Sequence, residues 1–240
     1  MSLFKHFTRH TLAVCLFSVA ANVIAAPIIF TQSEYTSFAS VDMGDKTSGL
    51  NSNSSPPDAL PLVSSANLAD SGNSSSATGS ANTGQLDVST DTLGSSLLAA
   101  ATSGAGFSGT FTGTGQSVNF VIDYSTSDEV FFGGLAGSQL FVTLLSNGVT
   151  LFDGTFSSTQ QLNQNFILPS GSNNLFDIQL VSNAVSDGTL GDIAVGSNIA
   201  SVAFSLNAAP VPEPSMAWLM AGGLGLVVWA RRKGGRAAIA

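Results

Sequence analysis

The chain predicts an all-β fold, an antiparallel β-sandwich, and three observations carry that expectation. Apolar and polar residues alternate with period two through several short runs from Gln85 onward. Glycine, asparagine, serine and proline punctuate those runs where turns are needed. No stretch has amphipathic helical spacing of useful length, the nearest being a short helix-like run from Ser96 to Thr102. Many short strands without helices argue for two packed sheets, and a jelly roll is one topology that fits.

Taken in order, residues 1–25 read as an export leader that stands apart from the fold. Lys5 and Arg9 give a positive start, Thr11 to Ala21 is apolar, and Val23-Ile24-Ala25 has the small-residue spacing a signal peptidase accepts. Cleavage is expected after Ala25, because a cut one residue later would leave Pro27 beside the scissile bond. The apolar run falls short of the about 20 residues a spanning helix needs, which argues against an uncleaved anchor.

Residues 26–84 hold two expected strands, Ile28 to Thr31 and Tyr35 to Val41, followed by a change in composition. From Gly44 to Gly84 the chain is mostly Ser, Asn, Gly, Thr and Ala, with Pro56-Pro57 and thinly scattered Leu60, Leu62, Val63 and Leu68. Two readings fit: a mobile loop or linker that buries too little apolar surface to order itself, or an irregular excursion packed on the sandwich edge.

Residues 85–208 are the expected sandwich. Val118, Phe120, Ile122 and Tyr124 share one face of a strand. Leu140 to Leu145, Asn147-Gly148 and Val149 to Phe152 predict a hairpin, because Asn-Gly favours the positive φ angles of a type I′ turn. Further strands are expected at Leu162 to Leu168, Leu175 to Val181 and Ile199 to Leu206, separated by turn residues at 169–173 and 186–188. Eleven of the sixteen phenylalanines lie between Phe107 and Phe204, enough aromatic volume for a core between two sheets.

Residues 209–240 have a different logic. Val211-Pro212-Glu213-Pro214 precedes an uncharged apolar stretch of sixteen residues, Ser215 to Ala230, and then Arg231-Arg232-Lys233. The prolines hold the chain extended, as a protease groove prefers. The apolar stretch, read as a transmembrane helix, spans about 24 Å at about 1.5 Å per residue, short of a bilayer core of about 30 Å but insertable with its flanks. The basic cluster is a stop signal held on the cytoplasmic side.

This ordered set resembles the PEP-CTERM sorting signal of Gram-negative bacteria. The resemblance covers about the last 25 residues. It implies processing by an exosortase, with Pro212, Glu213 and Pro214 as the recognition element. It also implies a transient inner-membrane anchor, delivery to the cell surface or extracellular matrix, and association with exopolysaccharide and biofilm.

Composition bounds the chemistry of the exported body. Between Ala26 and Pro214 there is no Cys, His or Arg and a single lysine, Lys46, against fifteen carboxylates. That excludes disulfides, Cys or His zinc sites, Ser-His-Asp and Cys-His nucleophiles and arginine clamps. Nucleic acid is an unsuitable partner, since binding it depends on Lys and Arg. No cofactor is expected, with calcium the one metal that oxygen ligands alone would hold, and Asp123, Asp128 and Glu129 are its candidate ligands. Asp153, Asp177, Asp187 and Asp192 are spread elsewhere, and Asp153-Gly154 and Asp187-Gly188 read as turns. Paired carboxylates can also hydrolyse glycosides, yet the body offers only Tyr35 and Tyr124 as sugar platforms beyond phenylalanine, and no Trp. The sequence therefore favours a non-enzymatic surface or matrix protein, with a carbohydrate-binding module as the alternative and a carboxylate glycosidase as a distant one.

Overall fold

The computed structural model describes residues 26–44, 46–55, 60–190, 192–208 and 223–224. The leader, the box at Pro212, Glu213 and Pro214 and the basic stop at Arg231, Arg232 and Lys233 lie outside the described residues, as does all but Gly223 and Leu224 of the apolar stretch. Among the described residues no helix is long and apolar enough to cross a membrane.

Among the described residues thirteen strands run in order. They are β1 (Ala26–Pro27), β2 (Gln32–Met43), β3 (Lys46–Ser55), β4 (Leu62–Asp70) and β5 (Asn73–Asn82). β6 (Gln85–Gly94), β7 (Leu98–Thr112), β8 (Ser117–Phe131) and β9 (Gly134–Ser146) follow. Then come β10 (Val149–Phe156), β11 (Gln160–Ile167), β12 (Asn173–Asp187) and β13 (Ala194–Ala208). Two antiparallel sheets pack as a β-sandwich. One has the order β11-β8-β13-β6-β5-β4, with β1 beside β13, and the other β10-β9-β12-β7-β2-β3. Residues Pro27–Ala208 form one unit.

The period-two expectations hold where side chains are large. Val118, Phe120, Ile122 and Tyr124 are all buried on β8. The Asn147-Gly148 turn joins β9 to β10 with φ angles of 51° and 78°, and Val149 pairs with Ser146. Ile28 to Thr31 is not a strand. It is held instead by single bonds from the Ile28 N–H to the Leu206 carbonyl and from the Thr31 N–H to the Thr110 carbonyl.

The largest departure is in residues 44–84. Among the described residues of this stretch, β3, β4 and β5 are strands in place of a loop or an irregular excursion, and β5 pairs with β6 from Ser74–Leu93 to Asn82–Gln85. No boundary falls at residue 84, because β4 and β5 extend the same sheet as β6. The helix-like run Ser96 to Thr102 is likewise the start of β7 from Leu98 onward. The reason lies in what β5 turns inward. Asn73, Ser75, Ala77, Gly79 and Ala81 are buried in strict alternation. A Cβ on Gly79 would lie 2.2 Å from the Gly104 carbonyl oxygen and 2.8 Å from that of Phe38, so here one sheet rests directly on the backbone of the other. Close approach replaces the bulky side chains that usually signal a buried strand.

The sandwich interior therefore has two halves. In one, Phe107, Phe111, Phe120, Phe176, Leu140, Leu144 and Leu180 are buried together, with Phe107 and Phe176 centroids 6.1 Å apart and Phe120 and Phe176 5.2 Å apart in a T-shaped contact. Burying each ring contributes on the order of 2–3 kcal/mol. In the other, Ala39, Val41, Ala66, Ala77 and Ala101 form a small cluster, and hydroxyls bond from sheet to sheet. Ser37 Oγ meets Ser64 Oγ at 2.8 Å, Ser75 Oγ donates to the Ala100 carbonyl at 2.6 Å, and Ser103 Oγ to the Ser89 carbonyl at 3.1 Å. Asn73 closes this end: its Oδ1 accepts from the backbone N–H groups of Ser95, Ser96 and Leu97 at 2.8, 3.1 and 3.2 Å.

Candidate functional site

The three candidate calcium ligands all lie on β8, and strand geometry separates them. Asp123 and Glu129 face outward, six residues apart, which is about 20 Å at about 3.3 Å per residue. Asp128 lies on the opposite face of the strand. Among the described residues no three or more Asp, Glu, His or Cys side chains converge on a point that would hold a metal ion.

The carboxylates form rows instead. On the outer face of one sheet, Glu34 of β2 is opposite Ser108 of β7, Ser108 opposite Asp177 of β12, Asp177 opposite Thr143 of β9, and Thr143 opposite Asp153 of β10. Acid and hydroxyl thus alternate across five strands. Thr143 Oγ1 donates to Asp153 Oδ1 at 3.3 Å, and Gln179 Nε2 donates to Asp177 Oδ1 at 3.2 Å. Burial among these neighbours pushes the Asp177 carboxyl above the usual carboxylate range, against the opposing pull of hydrogen bonds from Ser108 and Gln179. Successive acids stand two strands apart, about 10 Å at about 4.8 Å per strand. That is too far to share a cation whose ligands sit at about 2.4 Å. It suits a series of hydrogen-bond acceptors and hydroxyls offered to an extended polar ligand.

The other outer face repeats the pattern. Ser76, Asp91, Ser197 and Glu129 stand opposite one another across β5, β6, β13 and β8. Near the end of the same sheet, Asn119 Nδ2 donates to Asn163 Oδ1 at 2.8 Å and Asn165 Oδ1 at 3.1 Å. Asp187 does local work: its carboxylate accepts from Thr189 Oγ1 and the Thr189 N–H, which holds it below the usual range and closes the turn at Gly188–Leu190.

Between the sheets runs a third polar feature. Thr90 Oγ1 meets Ser182 Oγ at 2.8 Å, Ser182 Oγ donates to Asn198 Oδ1 at 2.7 Å, and Asn198 Nδ2 donates to Thr126 Oγ1 at 3.1 Å. Thr126 Oγ1 meets Ser138 Oγ at 2.6 Å, and Ser138 Oγ meets the Tyr124 hydroxyl at 2.8 Å. Each member is paired, so the chain of bonds positions β6, β8, β9, β12 and β13 and leaves no group idle for chemistry. Both tyrosines are buried, and burial pushes the Tyr35 phenol up. Neither is a sugar platform. Among the described residues the exposed aromatic surface is phenylalanine: Phe131 and Phe132 at the tip of β8, and Phe141 on an outer face.

In the sequence Asp153 and Asp177 are scattered carboxylates, and nothing there shows that Thr143 aligns between them or that Ser108 aligns between Asp177 and Glu34. Period-two alternation shows that these residues face outward, but only the register between strands places them in one row.

No family model matches the chain, and no curated protein does either. Among solved structures it is similar to TmCBM61 in complex with β-1,4-galactotriose, at 10% identity over 53% of this chain and 83% of that one, with a TM-score of 0.25. It is similar to the arabinose-bound α-L-arabinofuranosidase MgGH51 at 18% identity over 50% of this chain and 19% of that one, TM-score 0.24. The enzymatically active domain of bacteriophage CBA120 tailspike protein 4 gives 11% identity, 72% and 19% coverage and a TM-score of 0.25. Likenesses at these scores bear on neither ligand nor activity.

Proposed function

We propose that the chain is an exported, non-enzymatic protein of the cell surface or extracellular matrix, processed by an exosortase and held only transiently in the inner membrane. The observation that carries this reading is the ordered C-terminal set: Pro212-Glu213-Pro214, sixteen apolar residues, then Arg231-Arg232-Lys233, with an export leader at the opposite end. A non-catalytic role is supported by the spacing of about 10 Å between the outward-facing Glu34, Asp177 and Asp153 and by the lack of His, Cys and Arg between Ala26 and Pro214. Within the sandwich, β6 to β13 are an eight-stranded jelly roll. The sheet orders β6-β13-β8-β11 and β7-β12-β9-β10 support that topology, and β4-β5 and β2-β3 are flanking additions.

Mass spectrometry of surface fractions tests the sorting claim. Surface protein ending near Pro214 is the expected result, and surface protein that still carries Trp229 and Arg231 would overturn it. A second reading, a carbohydrate-binding module, is favoured by one observation, the alternating row Glu34, Ser108, Asp177, Thr143 and Asp153. A glycan array read with and without calcium decides between the two. Binding lost in a Glu34→Gln, Asp177→Asn, Asp153→Asn triple variant would replace the structural reading with the second.

A further inference from the structure

The two sheets both lose an outer neighbour at the same corner. β11 pairs with β8 only from Ser117 to Tyr124, whereas β13 follows β8 as far as Phe131. β10 pairs with β9 only from Leu140 to Ser146, whereas β12 follows β9 from Gly134. The cause is length, since β10 and β11 have 8 residues each while β8 has 15 and β9 has 13. Thr159 immediately precedes β11. Its hydroxyl accepts from the Thr126 N–H at 3.0 Å and donates to the Thr126 carbonyl at 3.2 Å. Peptide groups alternate in direction along an antiparallel strand, so those of Asp128 and Val130 point the same way as Thr126's. No described strand meets them there.

The side chains at this edge have a definite chemistry. Val130, Phe131, Phe132 and Leu135 are 49, 55, 63 and 71% exposed, and the Phe131 and Phe132 rings touch edge to face at 4.2 Å. Such a contiguous apolar tip on a soluble surface usually marks a contact. Asp128 and Glu129 lie beside it, and the edge carries no proline or lysine, two common devices for blocking strand addition. A second copy is a poor occupant, because pairing this edge with itself sets acid against acid. The described unit's one lysine, Lys46, already pairs with Asp70.

The geometry points to a strand-addition site on β8 at Thr126 to Phe131, filled by an extended peptide segment of a partner that carries Lys or Arg between apolar residues. Its backbone continues the sheet through the N–H and C=O groups of Asp128 and Val130. On the face of the strand that carries Glu129 its cations meet that carboxylate, and on the opposite face its apolar side chains cover Val130 beside Asp128.

Hydrogen–deuterium exchange of the full-length chain in detergent tests this, with a synthetic peptide of alternating Lys and Val as the probe. Exchange across residues 125–131 should slow at least about tenfold, with no change at the outer edge of β4. An alternating Glu and Val peptide should slow nothing. Val130→Pro, which removes an outward N–H, should abolish the effect while the interior strands β7 and β12 keep their protection. Should that variant unfold, Asp128→Asn with Glu129→Gln keeps the backbone donors and should weaken the Lys peptide's binding about tenfold or more. The site is overturned by equal slowing with the acidic peptide, by no slowing with the basic one, by slowing that survives Val130→Pro, or by peptide-free self-association that protects the same segment.

Discussion

The two halves of the sandwich interior solve the same packing problem with opposite materials. β7 passes through both: Phe107 and Phe111 lie in the aromatic half, while Ala99, Ala101 and Ser103 lie in the other. β12 does the same, with Phe176, Ile178 and Leu180 followed by Ser182, Ala184 and Ser186. In the aromatic half, stability comes from apolar area withdrawn from water. In the small-residue half little such area exists, so the sheets close to backbone contact, and hydroxyls such as Ser37, Ser75 and Ser103 bond across the gap, while among the described residues Ser186 Oγ is buried without a partner. A strand poor in large apolar residues can thus be as tightly constrained as one full of them, because a void or an extra methyl is felt wherever packing is dense.

Substitutions can break or sharpen that contrast. Phe176→Ala removes a fully buried ring from the aromatic half and should cost about 3–5 kcal/mol in urea unfolding. Gly79→Val should cost about 3 kcal/mol, because the added side chain meets backbone that cannot move aside. A loss below about 1 kcal/mol would mean that the sheets are not in contact there. Ser182→Ala strips a partner from both Thr90 and Asn198 and should cost about 1–3 kcal/mol. Pairing it with Thr90→Val should restore part of the loss if the hydroxyls act as a unit.

The smallest effect belongs to the outer face. Burial raises the folded-state pKa of Asp177, so the native state holds that proton more tightly than the unfolded chain. Its contribution is therefore a destabilisation, absent below the ordinary carboxylate range and setting in as pH rises through the raised value. Asp177→Asn should flatten this step in a pH series of melting temperatures. Asp70 carries the opposite sign. The hydrogen bond from Lys46, then that from Ser71, holds its carboxyl low. Its contribution is present above the ordinary range and fades as pH falls through the lowered value, and Asp70→Asn should remove that fading.

The same contrast explains what could be read from the sequence. Alternation on β8 and the Asn147-Gly148 turn announced themselves, because large side chains and positive-φ turns leave local marks. β4 and β5 did not. Ser75, Ala77 and Gly79 carry no apolar signal, and their burial depends on Phe38, Ala100, Ala101 and Gly104, which arrive from the facing sheet. Their composition reads as an unmet ordering cost, yet that cost is offset by contacts no local window contains. The acid and hydroxyl row failed to appear for a related reason: Glu34 and Ser108 become neighbours only through register.

One pairing described above has a practical reach. Lys46 is the sole lysine or arginine between Arg9 and Arg231, and it opens β3 with its ammonium on Asp70. A trypsin-like protease therefore has one cleavage point between Arg9 and Arg231. Amine-directed reagents likewise have a single side-chain target, so one label placed there reports on one known end of the sandwich.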